Sequence, residues 1–230
     1  MAWLATTALA LLAQAGGPTA REQKALIEAY FAADAKTEAG QKERRRIQRE
    51  LAAVELEPAS AQEELALILK RWEKGPRLEP KPGQRFWWEQ EKRGFYIVGG
   101  QTKKPEALVL CLHEGKKNKG DAHKAFNAYE PALSDLGWLT IYPEELVQTT
   151  HGWIEGGTEE WIVELIDCAR RTWKIDPDHV YLCGHSVGGY GTWTLGAHHA
   201  DQFAALAPSA GAPTPLLGRS QEVLGIVEGI

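Results

Sequence analysis

One stretch of this 230-residue chain constrains its fold more than any other: Tyr181 to Trp193, YLCGHSVGGYGTW. Val180, Tyr181, Leu182 and Cys183 make a short apolar run suited to a buried strand, and Gly184-His185-Ser186-Val187-Gly188 follows as G-x-S-x-G. A helix-forming segment comes next. Strand, motif and helix in that order predict a sharp turn that strains the serine backbone and lifts its hydroxyl above the sheet. Gly184 and Gly188 are required on this reading, because a Cβ at either place would meet the neighbouring strand or helix. Gly189 and Gly191 allow close packing behind them. A glycine turn with a purely structural role is the alternative.

The run GHSVGGYGTW, with HADQFAALAPSAG from His199 to Gly211, resembles the α/β-hydrolase superfamily. More narrowly, it is similar to secreted bacterial esterases and predicted peptidases related to polyhydroxybutyrate depolymerases, feruloyl esterases and the prolyl-oligopeptidase catalytic domain. The resemblance runs from about Ala107 to Ala212. It implies an α/β fold, a mostly parallel sheet with helices on both faces. It also implies a nucleophilic Ser186, no cofactor, and a small-molecule or polymer ester cleaved through an acyl-serine. An oxyanion hole would take one N–H from Val187 and one from the loop after the Ala107–Leu112 strand. His113-Glu114-Gly115 resembles the His-Gly of that loop, with Glu114 at the usual glycine position, so Glu114, Gly115 and Lys116 are all candidates for the amide. A prolyl-oligopeptidase-like peptidase is the alternative among enzymes, and a non-catalytic remnant with a binding role the alternative outside them.

Ser186 needs a base, and the histidines are badly placed for one. In this fold the triad runs Ser, then Asp or Glu, then His. After Ser186 the acids are Asp201, Glu222 and Glu228, and no histidine follows any of them. His198 and His199 lie near the far end of the helix that Ser186 opens, about 18 Å away at 1.5 Å per residue. They suit the negative end of a helix dipole. His185 adjoins the serine and should diverge from it, and His179 lies at the opposite end of the strand. His113, His151 and His185 can border the pocket, with a hydrogen-bonded or surface role as the alternative for each. The resemblance implies two further strands after Phe203–Pro208, and only fifteen residues follow Pro215. We therefore expect an incomplete hydrolase, weak or inert by itself, whose apolar Phe203–Pro208 edge favours poor solubility or dimerisation.

The rest of the chain sets the frame. A net charge of −5 and a pI of about 5.8 argue against a nucleic-acid partner. No metal-ligand spacing occurs, and three cysteines form no disulfide framework. Residues 1–15 read as a signal peptide ending in the small-x-small Ala13-Gln14-Ala15, too short for an integral membrane span, which predicts a secreted or periplasmic protein. Residues 16–83 form a helical segment. Thr19 and Glu22 make a capping box, a charged helix runs from Gln41 to about Glu57, and Ser60 and Glu63 open a third over Ala61–Trp72. The arginines of the charged helix are interleaved with Glu43 and Glu50, as on a solvated face. Residues 84–230 form the hydrolase domain, beginning with a hairpin of Phe86–Trp88 and Phe95–Val98. Strands at Ala107–Leu112 and Trp138–Tyr142 alternate with helices at Ala122–Leu136 and from Thr158 to about Trp173.

Overall fold

The computed structural model describes residues 17–54, 58–115, 121–147 and 152–213. The expected signal peptide, the lysine-bearing loop 116–120, His151 and the C-terminal tail lie outside the described residues. The chain divides into two compact units, Met1–Gly75 and Pro76–Ile230.

The first unit holds three helices, α1 (Ala20–Ala32), α2 (Glu38–Ala52) and α3 (Pro58–Trp72). The Thr19 hydroxyl accepts from the Glu22 N–H while the Glu22 carboxylate accepts from the Thr19 N–H, so both partners of the capping box are made. Helix α2 starts earlier than expected because Thr37 caps it through the Gly40 N–H. Helix α3 also starts earlier, at Pro58, which puts Ser60 inside the helix rather than at its cap. Proline suits the first helical turn, where its missing N–H costs nothing. Arg46 pairs with both Glu43 and Glu50 on the exposed face of α2. Lys24–Glu63 at 3.3 Å and Arg71–Glu28 at 2.6 Å join α1 to α3.

The second unit is built on a six-stranded sheet in the order β1-β2-β4-β3-β5-β6. The strands are β1 (Gly83–Trp88), β2 (Arg93–Gly100), β3 (Leu108–Leu112), β4 (Leu139–Pro143), β5 (Val180–His185) and β6 (Ala205–Ser209). The first two form an antiparallel hairpin, and β2 meets β4 antiparallel. The pairs β4–β3, β3–β5 and β5–β6 are parallel. Helices α4 (Ala122–Leu133), α5 (Thr158–Trp173) and α6 (Val187–His198) make the crossovers.

All five residues of β3 are buried, as an unbroken apolar run in a strand covered on both faces should be. Their alternation divides the core. Leu108, Leu110 and Leu112 join Trp153, Trp161, Ile162, Leu165 and Leu195 on the α5 and α6 side. Val109 and Cys111 join Ala122, Ala125 and Tyr142 on the α4 side. Helices therefore cover both faces of a mostly parallel sheet. This is the α/β-hydrolase arrangement. Among the described residues no helix is long and apolar enough to cross a membrane.

Candidate active site

The C-terminal ends of β3, β4, β5 and β6 lie on one edge of the sheet, where the parallel register brings His185 beside Ser209. Ser186 sits at the tip of β5 with φ 53° and ψ −116°, and α6 begins at the next residue. A non-glycine residue held there stores roughly 1–3 kcal/mol of backbone strain, so its surroundings must impose it. They do so through the backbone. The Ser186 N–H donates to the Ser209 carbonyl at 2.9 Å, and the Tyr190 N–H to the Ser186 carbonyl at 3.0 Å. A Cβ on Gly184 would run into the Gly188 carbonyl, and one on Gly188 into the carbonyls of Leu112 and His113. The first turn of α6 therefore rests on the loop that leaves β3.

That contact sets the helix turn opened by Val187 against the strand exit at Leu112 and His113. Val187 opens α6, so its N–H is one of the donors a helix leaves without an internal acceptor. Gly115, with φ 152°, carries the loop after β3 through a conformation that side chains disfavour. Glu114 is exposed beside it, and its carboxylate lies 3.6 Å from His185 Nε2.

The histidines separate clearly. His113 is buried at 1% exposure and packs on the Trp153 ring with centroids 4.7 Å apart. Its Nε2 accepts the Glu145 N–H at 3.3 Å, which fixes the proton on Nδ1, and Nδ1–H donates to the Glu114 carbonyl at 3.0 Å. Burial pulls its pKa down and keeps the ring neutral. Both nitrogens are committed to backbone, so His113 is a structural histidine and no base for Ser186. His185 lies on the rim, its Nδ1 3.1 Å from the Ser209 hydroxyl. His179 is paired with Asp176 at 3.6 Å at the other end of β5. His198 and His199 both contact Glu159, at 2.9 and 2.8 Å, so a carboxylate holds them as well as the helix end. Among the described residues no side chain hydrogen-bonds the Ser186 hydroxyl, and no cluster of three or more His, Cys, Asp or Glu could hold a metal ion. His151 lies outside the described residues.

One residue of this edge was missed from sequence. Glu145 follows β4 and is only 8% exposed. Burial, with the neighbouring Glu144 adding to it, pushes its carboxyl up to about 7. Its Oε1 lies 3.7 Å from where a Cβ on Gly152 would stand, and Val187 Cγ1 lies 3.0 Å from the same point. The readable signal was an acidic pair directly after a buried strand, at the strand end where α/β sheets carry their chemistry.

Sheet order and strand-to-helix turn are those of the α/β-hydrolase fold, and the curated proteins to which the chain is similar include acetylxylan esterases. It is 29% identical over 121 residues to the bifunctional acetylxylan esterase/xylanase XynS20E of Neocallimastix patriciarum, covering 52% of this chain and 18% of that protein. It is 25% identical over 151 residues to acetylxylan esterase A of Emericella nidulans, covering 60% of this chain and 50% of that protein. The chain thus spans half or less of these relatives. Among solved structures it matches LpqC, a poly(3-hydroxybutyrate) depolymerase from Bordetella parapertussis, with TM-score 0.46 and 14% identity over 64% of this chain and 62% of that one. No family model matches.

Proposed function

We propose that the protein is a serine hydrolase acting on carboxylic esters, with Ser186 attacking the carbonyl to form an acyl-serine. The observation that carries this reading is the strained Ser186 backbone at the tip of β5, over-determined by packed backbone on three sides. Such strain persists where a side chain has to be presented in one place. The tetrahedral oxyanion would be met by the Val187 N–H and by an amide of the His113–Gly115 loop, each donor worth roughly 3 kcal/mol of barrier. The similarity to esterases favours an ester over a peptide bond.

Proton transfer is the missing half among the described residues, where no histidine reaches the hydroxyl. A serine hydroxyl without a base is a weak nucleophile, and oxyanion stabilisation with binding leaves about 10³- to 10⁴-fold over water. We therefore expect the 230-residue chain to label slowly at Ser186 with a fluorophosphonate probe, and Ser186→Ala to abolish the labelling. Peptide mapping of the adduct tests this. Labelling at another residue, or none after prolonged exposure, would overturn the nucleophile assignment. Rapid labelling would show that the chain supplies its own base, with His151 the histidine left to test.

A further inference from the structure

We propose that Glu145 is a specificity-determining residue of the Ser186 pocket, accepting a hydrogen bond from a hydroxyl group carried by the ester substrate. This rests on the hydrolase reading of Ser186.

Glu145 is held at its backbone and left alone at its carboxyl. Its backbone N–H donates to His113 Nε2 at 3.3 Å, and the next N–H, that of Leu146, goes to the Thr158 hydroxyl at 3.1 Å. The main chain is therefore pinned on both sides of the Cα. The adjacent carboxyl, Glu144, turns the other way and accepts the Ala122 N–H at 3.3 Å at the start of α4. Glu145 has no such partner. Among the described residues nothing hydrogen-bonds its carboxyl, although more than nine-tenths of the residue is buried. Its oxygens are not among the fully buried side-chain atoms that lack a partner, so the carboxyl end of this buried residue keeps access to open space.

The carboxyl also has a direction. Its Oε1 lies 3.7 Å from where a Cβ on Gly152 would stand, and the side chain of Val187, the residue directly after Ser186, lies 3.0 Å from the same point. Gly152 has φ 67°, and a side chain there would crowd Val187 and lie against Glu145 Oε1. The absent side chain leaves the carboxyl facing the start of α6. An acceptor without a protein partner among the described residues suits a group that can give it a hydrogen bond. A hydroxyl does so; an alkyl chain does not.

The test compares two nearly isosteric esters, 2-hydroxyethyl acetate and n-propyl acetate, titrated by ligand-observed NMR at pH 8. The full chain carries Ser186→Ala so that neither ester turns over. The hydroxyl ester is expected to bind about tenfold more tightly, the effect of one buried hydrogen bond to a charged acceptor. Adding Glu145→Leu should bring the ratio to about one. Glu145→Gln keeps a neutral acceptor, and neutral hydrogen bonds are roughly half as strong, so its ratio should be about threefold. Should the leucine variant not fold, the glutamine variant carries the test. Equal binding of the two esters to the parent protein would overturn the proposal and leave an ordered water as the partner of Glu145. A ratio unchanged by either substitution would overturn it too. If fluorophosphonate never reaches Ser186 yet the preference is present, the hydrolase reading fails and the binding site stands. If Ser186 labels and the preference is absent, the hydrolase reading stands and the role given to Glu145 fails.

Discussion

Helix α6 opens beside Ser186 and closes on His198 and His199, and its two ends are built by opposite means. At the first end everything is backbone: Ser186 is placed by the Ser209 carbonyl, the Tyr190 N–H and the carbonyls under Gly188. At the second end everything is side chain. His198 Nδ1 and His199 Nε2 converge on one oxygen of Glu159, which α5 contributes from its first turn. Burial alone would push Glu159 up, but the bonds from the two histidines outweigh it and hold the carboxyl at about 2. The same contact pushes His198 up. The end that carries Ser186 thus has no side-chain partner for its hydroxyl among the described residues. The end with imidazoles and a carboxylate lies some 18 Å away along the helix.

The largest expected effect comes from breaking the backbone end. Gly188→Ala puts a Cβ into the Leu112 and His113 carbonyls, which cannot withdraw without separating α6 from β3. We expect a cost of about 3–5 kcal/mol, at the upper end for single substitutions. Chemical denaturation measures it, and a variant within about 1 kcal/mol of the parent would refute the claim that packed backbone alone sets this end.

Most of that end was legible beforehand, because it is local. A buried strand, G-x-S-x-G and a helix within thirteen residues leave little freedom in how Ser186 is presented. The hairpin, the central β3 run and the full span of α5 were legible for the same reason, each following from a short-range pattern. Partnerships across the chain were not. Nothing in His113 itself says that its ring will be enclosed between Glu145 and Glu114, and nothing in Glu159 points to residues about forty positions later. Glu145 was missed because its character comes from burial, and burial depends on the Trp153 segment folding back onto α6.

A middle-sized effect sharpens the contrast through pH. Glu145 holds its proton up to about pH 7 where its ordinary value is 4.5, so the native state binds a proton that the unfolded chain releases. Stability contributed by the neutral form is therefore lost as pH rises from about 4.5 to 7. The loss amounts to about 3 kcal/mol above that window. Glu145→Gln cannot ionise and should be more stable than the parent at pH 8, with little difference at pH 4. Parallel stability curves for the two proteins across this range would show that Glu145 does not titrate as described.

The smallest effect belongs to the side-chain end. The lowered Glu159 contributes stability that is fully present above 4.5 and lost as pH falls toward 2. The raised His198 contributes stability present below 6.5 and lost as pH climbs past its folded value. The pair is strongest between these limits. With His198 side-chain exposure at 42%, solvent screens much of the attraction. Glu159→Gln should then cost about 1 kcal/mol near pH 6 and less at pH 9. Thermal melts at the two pH values decide it, and a cost that grows toward pH 9 would contradict the pairing.

The hydrogen bond from Ser186 to Ser209 has a temporal side. Ser209 is the last residue of β6, and among the described residues β6 has a neighbour on one side only, β5. Strands at the border of a sheet breathe more often than those inside it. Each time β6 lifts, the Ser186 amide loses its acceptor and the left-handed backbone at that residue is free to relax. The alignment of the serine hydroxyl therefore has a lifetime, and the clock that sets it runs in the border strand. Warming would shorten that lifetime well before the layers around β3 loosen, so the pocket would lose its aim while the fold was still whole.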